Sequence, residues 1–409
     1  MRLILTLAIA LLSLSAGAAN SGAGIYSVYP AQPGPDTPAP AGYKAAYISH
    51  YGRHGSRYLE SKDFTHSVIS VLRKAEAKNA LTPEGKALLD DFRSFDAISA
   101  GRYGQLSAVG AQEEQEIGLR MAKRFAPVFR KGGKVVCVSS TAPRCIMSMT
   151  NMTTSLKGVY PDLDFSFLCG EKFQKYIIAK DFVDTSKAIN DPYVEKDFKE
   201  NFDFDAFMSK FVTPAVNPRS IVNDPRTFTR YLFCTAADVS CVGEGPDLFR
   251  YFTEEEARDA ESNYDIYLYS NFCNSKTSGH LRLRDAAILV KDVIDRADAA
   301  LAGNGVITDI RYGHDSAMMT FFSLLGFGDY DMSIYPYEVP SKWSSAERMP
   351  MGTNLQMVFY RNRKGDVLVK MLFNENEVPV PALGEGPYYS WKDMRAYLCE
   401  KVSKYSSNL

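Results

Sequence analysis

Short apolar runs alternate with amphipathic segments along most of this 409-residue chain, and that alternation limits the possible folds more than any other feature. Residues 44–51, 135–139 and 306–312 have the composition of buried strands, and a polar loop and a helical pattern follow each run. Residues 355–360 and 367–373 enclose a polar turn sequence and predict a hairpin. Strands that alternate with helices indicate an α/β fold with a mostly parallel sheet flanked by helices.

The segments between these strands have the spacing of amphipathic helices. Ser107 is a candidate N-cap for a helix that runs to about Arg124. The other predicted helices cover residues 64–76, 145–157, 281–301 and 316–325. Residues 170–280 contain recurrent prolines and mixed aromatic and acidic residues without a long strand pattern, which favours short helices. We interpret this region as an α-helical cap inserted over a site in the α/β core.

Residues 1–19 have the pattern of a secretory signal peptide. Arg2 precedes an apolar run that is too short to span a bilayer, and small residues follow that run. Residues 20–42 are rich in Pro, Gly and Ala and predict an extended linker, which leaves 43–409 as one folded domain with its cap. The protein is therefore expected to be exported to the periplasm or the extracellular space. No later run is apolar enough for a transmembrane helix, so no membrane anchor is expected.

The balance of charge excludes a general attraction to polyanions. Lys and Arg number 47 against 48 Asp and Glu, a formal net charge of −1, so no global basic field recruits nucleic acid or a membrane surface. An anionic ligand would need a local cluster of cations. The seven cysteines form no C-x-x-C motif, and export would permit one or two disulfides among otherwise buried thiols. Cys234 and Cys241 are close enough in sequence to close a small loop.

The densest group of cations surrounds a histidine directly after the first predicted strand. Arg53 and Arg57 flank His54 within the run Gly52-Arg53-His54-Gly55-Ser56-Arg57. In open α/β sheets ligands bind at this end of the strands. Glycines let the backbone approach a ligand closely, and arginine forks match phosphate oxygens. The alternative is a salt-bridged basic loop on the surface, but this pattern after a strand favours a functional site.

Two further loops carry residues that would complete such a site. His314 and Asp315 follow the strand at 306–312, and Arg144 follows the strand at 135–139. A lone His-Asp pair is more often structural, and a loop arginine is usually a surface charge. If the loops converge, however, they gather three arginines and two histidines around a small anion. The chain has no H-E-x-x-H or H-x-H motif, so the sequence predicts neither a metal nor another cofactor.

This set of side chains is suited to phosphoryl transfer. The reaction needs cations for the equatorial oxygens, an in-line nucleophile and a proton for the leaving group. Arginines can supply the charge, and a neutral imidazole is a competent nucleophile that splits the displacement into two steps through a covalent intermediate. His54 is the candidate nucleophile, and Asp315 is the candidate proton donor that later activates water.

On these residues the chain resembles the histidine acid phosphatases, which carry R-H-G-x-R early and H-D late in the sequence. The resemblance covers roughly the whole chain after residue 19 and thins out over 170–280. It implies a catalytic α/β domain over 43–409 with a helical cap, and it implies roles for single residues. These are His54 as nucleophile, Asp315 as acid, and Arg53, Arg57, Arg144 and His314 as the phosphate pocket.

Several segments are similar to one branch of that family, the multiple inositol polyphosphate phosphatases, and imply a substrate such as phytate. These segments are 53–58, 106–110, 139–145, 352–355 and 372–379. Two positions depart from the branch. It usually has H-A-E where this chain has His314-Asp315-Ser316, and Tyr58-Leu59 stands where a proline is common after the second arginine.

The sequence also leaves other functions open. A generalist acid phosphatase that acts on sugar or aryl phosphates would carry the same residues, and a phosphoglycerate-mutase-like transferase shares the R-H-G core. A secreted phosphate-binding protein without activity is a further alternative, although His54 and Asp315 are both present. The expected partner is a small-molecule phosphate monoester, with no nucleic acid and no obligate protein partner.

Overall fold

The computed structural model describes residues 22–30 and 32–406, so the predicted signal peptide at 1–19 lies outside the described residues. The strands are β1 (Lys44–Arg53), β2 (Gly133–Ser139), β3 (Leu163–Leu168), β4 (Val306–Gly313), β5 (Asn354–Arg361), β6 (Val367–Phe373), β7 (Asn376–Glu377) and β8 (Tyr388–Ser390). They form one sheet in the order β3-β2-β4-β1-β5-β6-β7, with β8 paired to β6.

The sheet has a parallel half and an antiparallel half. Strands β3, β2, β4 and β1 pair in parallel, whereas β5 pairs antiparallel to β1 and every later pairing is antiparallel. The predicted hairpin is β5 and β6. The turn between them, residues 362–366, is too short for the crossover that parallel neighbours need, so β5 and β6 pair antiparallel. The alternation of strands and helices around one central sheet confirms the predicted α/β class. The sheet itself is mixed rather than mostly parallel.

The helices include every helix predicted from the sequence, to within a few residues. They are α1 (Asp63–Glu76), α2 (Pro83–Ser99), α3 (Ala108–Arg124), α4 (Ala126–Phe129), α5 (Pro143–Val159), α6 (Val183–Asn201), α7 (Phe204–Ser209), α8 (Pro225–Val242), α9 (Glu254–Phe272), α10 (Gly279–Leu301), α11 (Asp315–Leu325), α12 (Val339–Lys342), α13 (Ser345–Arg348) and α14 (Trp391–Ser406). Ser107 caps α3, since its side chain accepts the N–H of Gly110. Over the described residues, none of these helices has the length and apolar character that crossing a membrane requires.

Helices cover both faces of the sheet because successive strand residues point to opposite sides. Ile48 and Ile310 belong to one core with Met121 and Met149, which come from α3 and α5. Tyr47 belongs to the core on the other face, to which α10, α11 and α14 contribute. Strands β1, β2 and β4 are thus buried over most of their length, and the loops that carry the predicted site residues follow their carboxyl ends.

The region between β3 and α10 is helical, as predicted, but its helices are long. Helices α6, α8 and α9 have 19, 18 and 19 residues, so the expectation of short helices over 170–280 is wrong. Asp224 and Thr253 cap α8 and α9, since their side chains accept the N–H groups of Thr227 and Glu256. Helix α8 also packs against α1, so the helical part of the molecule includes residues from before β2.

The segment before β1 is irregular, as an extended linker would be, but it is tied to the fold. Tyr26 is fully buried. The N–H of Gly24 donates to Glu261 of α9 (2.9 Å), and the N–H of Tyr29 donates to Glu113 of α3 (2.9 Å). Residues 22–30 therefore join the helical region to the edge of the sheet where the site residues lie.

The expected disulfides are absent from the part of the chain that the structure describes, which includes all seven cysteines as free thiols. Cys234 and Cys241 both lie on α8. Seven residues of helix separate their Cα atoms by about 10 Å along the axis. A disulfide tolerates a Cα separation of only about 7 Å at most. The small-loop disulfide is therefore corrected to two buried thiols on one helix.

Candidate active site

The carboxyl ends of β1, β2 and β4 lie side by side at one edge of the sheet. The register places Arg53 opposite Gly313 and Ser139 opposite Tyr312, so the loops that follow begin at the same level. The structure thereby brings together the three loops that the sequence singled out. The ring centroids of His54 and His314 are 5.7 Å apart.

His54 is held by its backbone and by one ring nitrogen. Its N–H donates to the carbonyl of Gly313 (3.1 Å), and its carbonyl accepts the N–H of Gly352 (3.1 Å). Nδ1 lies 2.9 Å from the carbonyl oxygen of Gly55. Because a carbonyl oxygen can only accept, Nδ1 carries the proton and Nε2 keeps its lone pair. The ring is therefore in the tautomer that a nucleophilic Nε2 requires.

Helix α3 supports this loop through a close glycine contact and a carboxylate. A Cβ added to Gly110 would lie 2.0 Å from the carbonyl oxygen of Ser56, so only glycine permits the approach. One turn later, Glu113 accepts hydrogen bonds from the N–H (2.7 Å) and the hydroxyl (2.8 Å) of Ser56. Sequence reasoning did not identify Glu113. Its position three residues after the segment 106–110 was the available signal.

Arg53 is fully buried, and its partners come from the sheet side of the site and from the segment before β1. Nη1 donates to the carbonyl oxygens of Ile25 (2.7 Å) and Met349. Nη2 lies 2.9 Å from the carboxylate of Asp315. Two neutral carbonyls and one carboxylate thus orient this guanidinium group.

Arg57 is also fully buried, but its partners are mainly acidic. Nη2 forms an ion pair with Glu60, and Nη1 lies 3.4 Å from Asp238 of α8 and 3.2 Å from the carbonyl of Tyr58. The guanidinium carbon is 5.0 Å from the ring centroid of Tyr26, a cation–π distance. The sequence motif gave no indication of Glu60 or Asp238, since neither has a recognisable spacing to the histidines.

His314 is fixed by hydrogen bonds at both ring nitrogens. Nη2 of Arg144 donates to Nδ1 (3.2 Å), so Nε2 carries the proton and donates to the hydroxyl oxygen of Ser140 (2.9 Å). Ser140 also accepts the N–H of Ala142 (3.1 Å). The ring is therefore neutral and oriented by the loop after β2.

Asp315 is the first residue of α11 and contacts the helix backbone as well as Arg53. Its Oδ1 accepts the N–H of Ser316 (2.6 Å), a favourable position for a carboxylate. Burial raises the pKa of Asp315, but the neighbouring Arg53, His314 and Arg57 lower it more, and the result is a pKa below its ordinary value. Without a ligand, this carboxyl group is ionised.

The arginines also set the charge of the two imidazoles. Burial, together with Arg144, Arg53 and Arg57, holds the pKa of His54 well below 6.5. Burial and Arg144 lower the pKa of His314 to about 4, against an opposing effect of Asp315. Both rings are therefore neutral at mildly acidic pH.

Three guanidinium groups of the site have N–H donors without acceptors. Within the described residues, the Nε atoms of Arg53, Arg57 and Arg144 are buried and make no hydrogen bond. Buried donors are normally paired, and these three belong to arginines whose charges all act on His54, so together they point to an anion with several acceptor oxygens. Over residues 22–30 and 32–406, no three His, Cys, Asp or Glu side chains form a group that could hold a metal ion.

Solved structures share this architecture. A multiple inositol polyphosphate phosphatase of Bifidobacterium longum, in complex with inositol hexasulfate, matches with a TM-score of 0.79 and 18% identity over 92% of this chain and 97% of that chain. This chain has the fold of the histidine acid phosphatases. The phytase of D. castellii matches with a TM-score of 0.71 and 16% identity over 95% of this chain and 87% of that chain.

A curated protein is similar in sequence as well. A phytase of Candida albicans is 24% identical over 391 residues, which are 90% of this chain and 81% of that protein. A search of protein-family models finds no match. The comparisons agree with the resemblance that the motifs indicated, because the similar proteins include phytases and a multiple inositol polyphosphate phosphatase.

Proposed function

We propose that this protein is a phosphomonoesterase that hydrolyses inositol polyphosphates such as phytate through a phosphohistidine intermediate on His54. One observation carries the proposal: a neutral His54 with a free Nε2 lies among three arginines whose Nε–H groups have no acceptor in the described structure. A phosphate group would supply the missing acceptors and bring its phosphorus to the nucleophile.

The reaction takes place in two displacements. Nε2 of His54 attacks phosphorus, the bond to the leaving oxygen breaks, and protonated Asp315 gives that oxygen its proton. Asp315 then takes a proton from water, the water oxygen attacks phosphorus, and the P–N bond breaks. Inorganic phosphate leaves and His54 is neutral again. The guanidinium groups stabilise the equatorial oxygens in both steps, while Ser140 and Arg144 keep His314 beside them.

Asp315 must be protonated to act as the acid, although it is ion-paired with Arg53 before the substrate binds. A bound phosphate dianion takes over part of the charge of Arg53 and adds negative charge nearby, and both effects raise the pKa of Asp315. Mildly acidic solution increases the protonated fraction further, and the low pKa of His54 keeps the nucleophile neutral there. The enzyme is therefore an acid phosphatase.

The proposed substrate class rests on similarity and on the surroundings of the site. The similar proteins include a phytase and a multiple inositol polyphosphate phosphatase. Asp238 of α8 contacts Arg57, so the helical region borders the candidate pocket. We propose that α1, α2 and α6–α9 form a cap that shapes the pocket for a bulky polyphosphate, and that residues 1–19 direct export.

The deciding experiment compares two substrates in the presence of EDTA. Phosphate release from phytate and from p-nitrophenyl phosphate is measured on the purified protein, and phytate should give the higher kcat/KM with no loss to the chelator. Efficient hydrolysis of the aryl ester with none of phytate would establish the generalist alternative. A requirement for added Mg²⁺ or Zn²⁺ would contradict the arginine-based mechanism.

A further inference from the structure

Glu60 lies at the site but has no part in the reaction described above. Its carboxylate forms an ion pair with Nη2 of Arg57, and its second oxygen accepts a hydrogen bond from the hydroxyl of Tyr26 (3.3 Å). The side chain of Arg57 is 0% exposed, whereas that of Glu60 is 38% exposed. The pair thus joins a buried donor of the candidate pocket to a carboxylate that solvent reaches.

The backbone fixes Glu60 in this position. The preceding residue, Leu59, accepts the N–H of Gly104 (2.7 Å) at its carbonyl, and Arg57 forms a β-bridge with Leu106. A Cβ added to Gly104 would lie 3.4 Å from Nη1 of Arg144 and 3.6 Å from the carbonyl oxygen of Glu60. Glu60 is therefore paired with Arg57, and its charge also acts on Arg144, a second arginine whose Nε–H group has no acceptor in the described structure.

We infer that Glu60 competes with phosphate for Arg57 and so weakens the binding of phosphate groups, most directly of the free phosphate product. The inference rests on the proposed function. A phosphate at Arg57 must displace the Glu60 carboxylate or share the guanidinium group with it. If they share it, the negative charges of the phosphate and the carboxylate lie on the same side chain and repel each other. The consequence is faster release of product phosphate and weaker product inhibition.

Asp238, the second carboxyl group on Arg57, does not compete in this way. It is fully buried, and burial raises its pKa to about 8 against the opposing charge of Arg57, so the group is neutral at acidic pH. It therefore adds no negative charge beside the phosphate. Glu60 is the acidic partner of Arg57 that solvent reaches, and its substitution isolates the effect.

The test compares three variants with the wild-type protein. Glu60→Gln removes the charge at nearly constant shape, and Glu60→Asp keeps the charge. Glu76→Gln is the matched control because Glu76 also pairs with an arginine, Arg93 at 3.5 Å, but does so on α1 away from the site. Titration calorimetry with inorganic phosphate should show binding tighter by roughly 5- to 50-fold in Glu60→Gln. The other two variants should stay within about twofold of wild type.

Steady-state kinetics separate competition from a purely structural effect. The inhibition constant for phosphate and the KM for phytate should fall together in Glu60→Gln, while the single-turnover rate of phosphorylation is unchanged. Equal or weaker phosphate binding by this variant, in proteins that still hydrolyse phytate, would overturn the inference and leave the proposed function standing. If wild type and variants neither bound phosphate nor hydrolysed phytate, the proposed function itself would fail.

Discussion

Arg53 and Arg57 belong to one short motif, yet two different regions of the molecule hold them. The sheet side and the segment before β1 hold Arg53, through two carbonyl oxygens and Asp315. The helical side holds Arg57, through Glu60 and Asp238. The acidic partner of Arg53 is the proposed proton donor, whereas neither acidic partner of Arg57 takes part in the chemistry.

This difference indicates a division of work between the two regions. Under the proposed function, the sheet edge supplies the reacting groups at the strand ends, and under the inference about Glu60 the helical side adjusts how firmly the phosphate is held. Substitution of a carboxyl group should therefore have opposite consequences on the two sides: a loss of rate beside Arg53 and a change of binding beside Arg57.

The largest loss of turnover is expected from substitution of His54, which lies between the two regions. His54→Ala should lower turnover by at least about 10³-fold, since it removes the proposed nucleophile. Acid-labile phosphate should appear on the wild-type protein after rapid quenching and should be missing from the variant. His66→Ala is the control, because His66 is half exposed and lies outside the site. Near-normal turnover by His54→Ala would reject the assignment.

On the Arg53 side, Asp315→Asn should have an effect that depends on the leaving group. An inositol hydroxyl leaves poorly without a proton, so hydrolysis of alkyl phosphates should slow by roughly 10²–10⁴-fold. An aryl phenolate needs little help and should be affected far less. The measurement is single-turnover phosphorylation of His54 with both substrates. Equal losses would indicate that Asp315 only orients Arg53 and His314.

The pH profile tests whether arginines from both regions act on His54 together. Because burial and those arginines hold the pKa of His54 well below 6.5, the nucleophile stays neutral as the solution is acidified, and kcat/KM for phytate should not fall between pH 6.5 and 5. A histidine with an ordinary pKa would lose about tenfold in rate for each pH unit below 6.5. Arg144→Gln removes one of the charges and should move the acid limb to higher pH.

The sheet side of the site could be predicted from the sequence, because its signals are local. Periodicity located β1, β2 and β4, and in a parallel sheet the residues after such strands meet at one edge. His54, Arg144 and Asp315 therefore came together as expected. Two partners of Arg53 could not be predicted, since Ile25 and Met349 contribute only their backbone carbonyl oxygens. Every residue has such an oxygen, so the residue type carries no signal.

The helical side could not be predicted in the same way. Asp238 lies 181 residues after Arg57, and the pattern of α8 shows which face is buried but not what that face contacts. The prolines of residues 170–280 were also misleading as helix breaks. Pro192 lies inside α6, and Pro225 is at the start of α8, where a proline is favourable. The proline pattern therefore does not indicate that these three helices are long.

The smallest effect on activity is expected from Asp238→Asn, the counterpart of Asp315→Asn on the Arg57 side. The pKa of Asp238 is raised to about 8, chiefly by burial, so the side chain is a neutral acid at the working pH and Asn reproduces its shape and charge. Hydrolysis of phytate at mildly acidic pH should change by less than about threefold, which is far below the loss in Asp315→Asn.

Asp238→Asn should change the stability of the folded protein rather than the rate of hydrolysis. The carboxyl group has its ordinary pKa of 3.8 in the unfolded chain and about 8 in the folded protein, so the unfolded state loses this proton first as the pH rises. Wild-type stability therefore falls through that range, and Asp238→Asn lacks this contribution. The Tm of the variant relative to wild type should rise steadily from pH 4.5 to 7.5 in thermal melts. A relative Tm that falls with pH would mean that Asp238 is an ionised partner of Arg57, and the contrast between the two regions would then be lost.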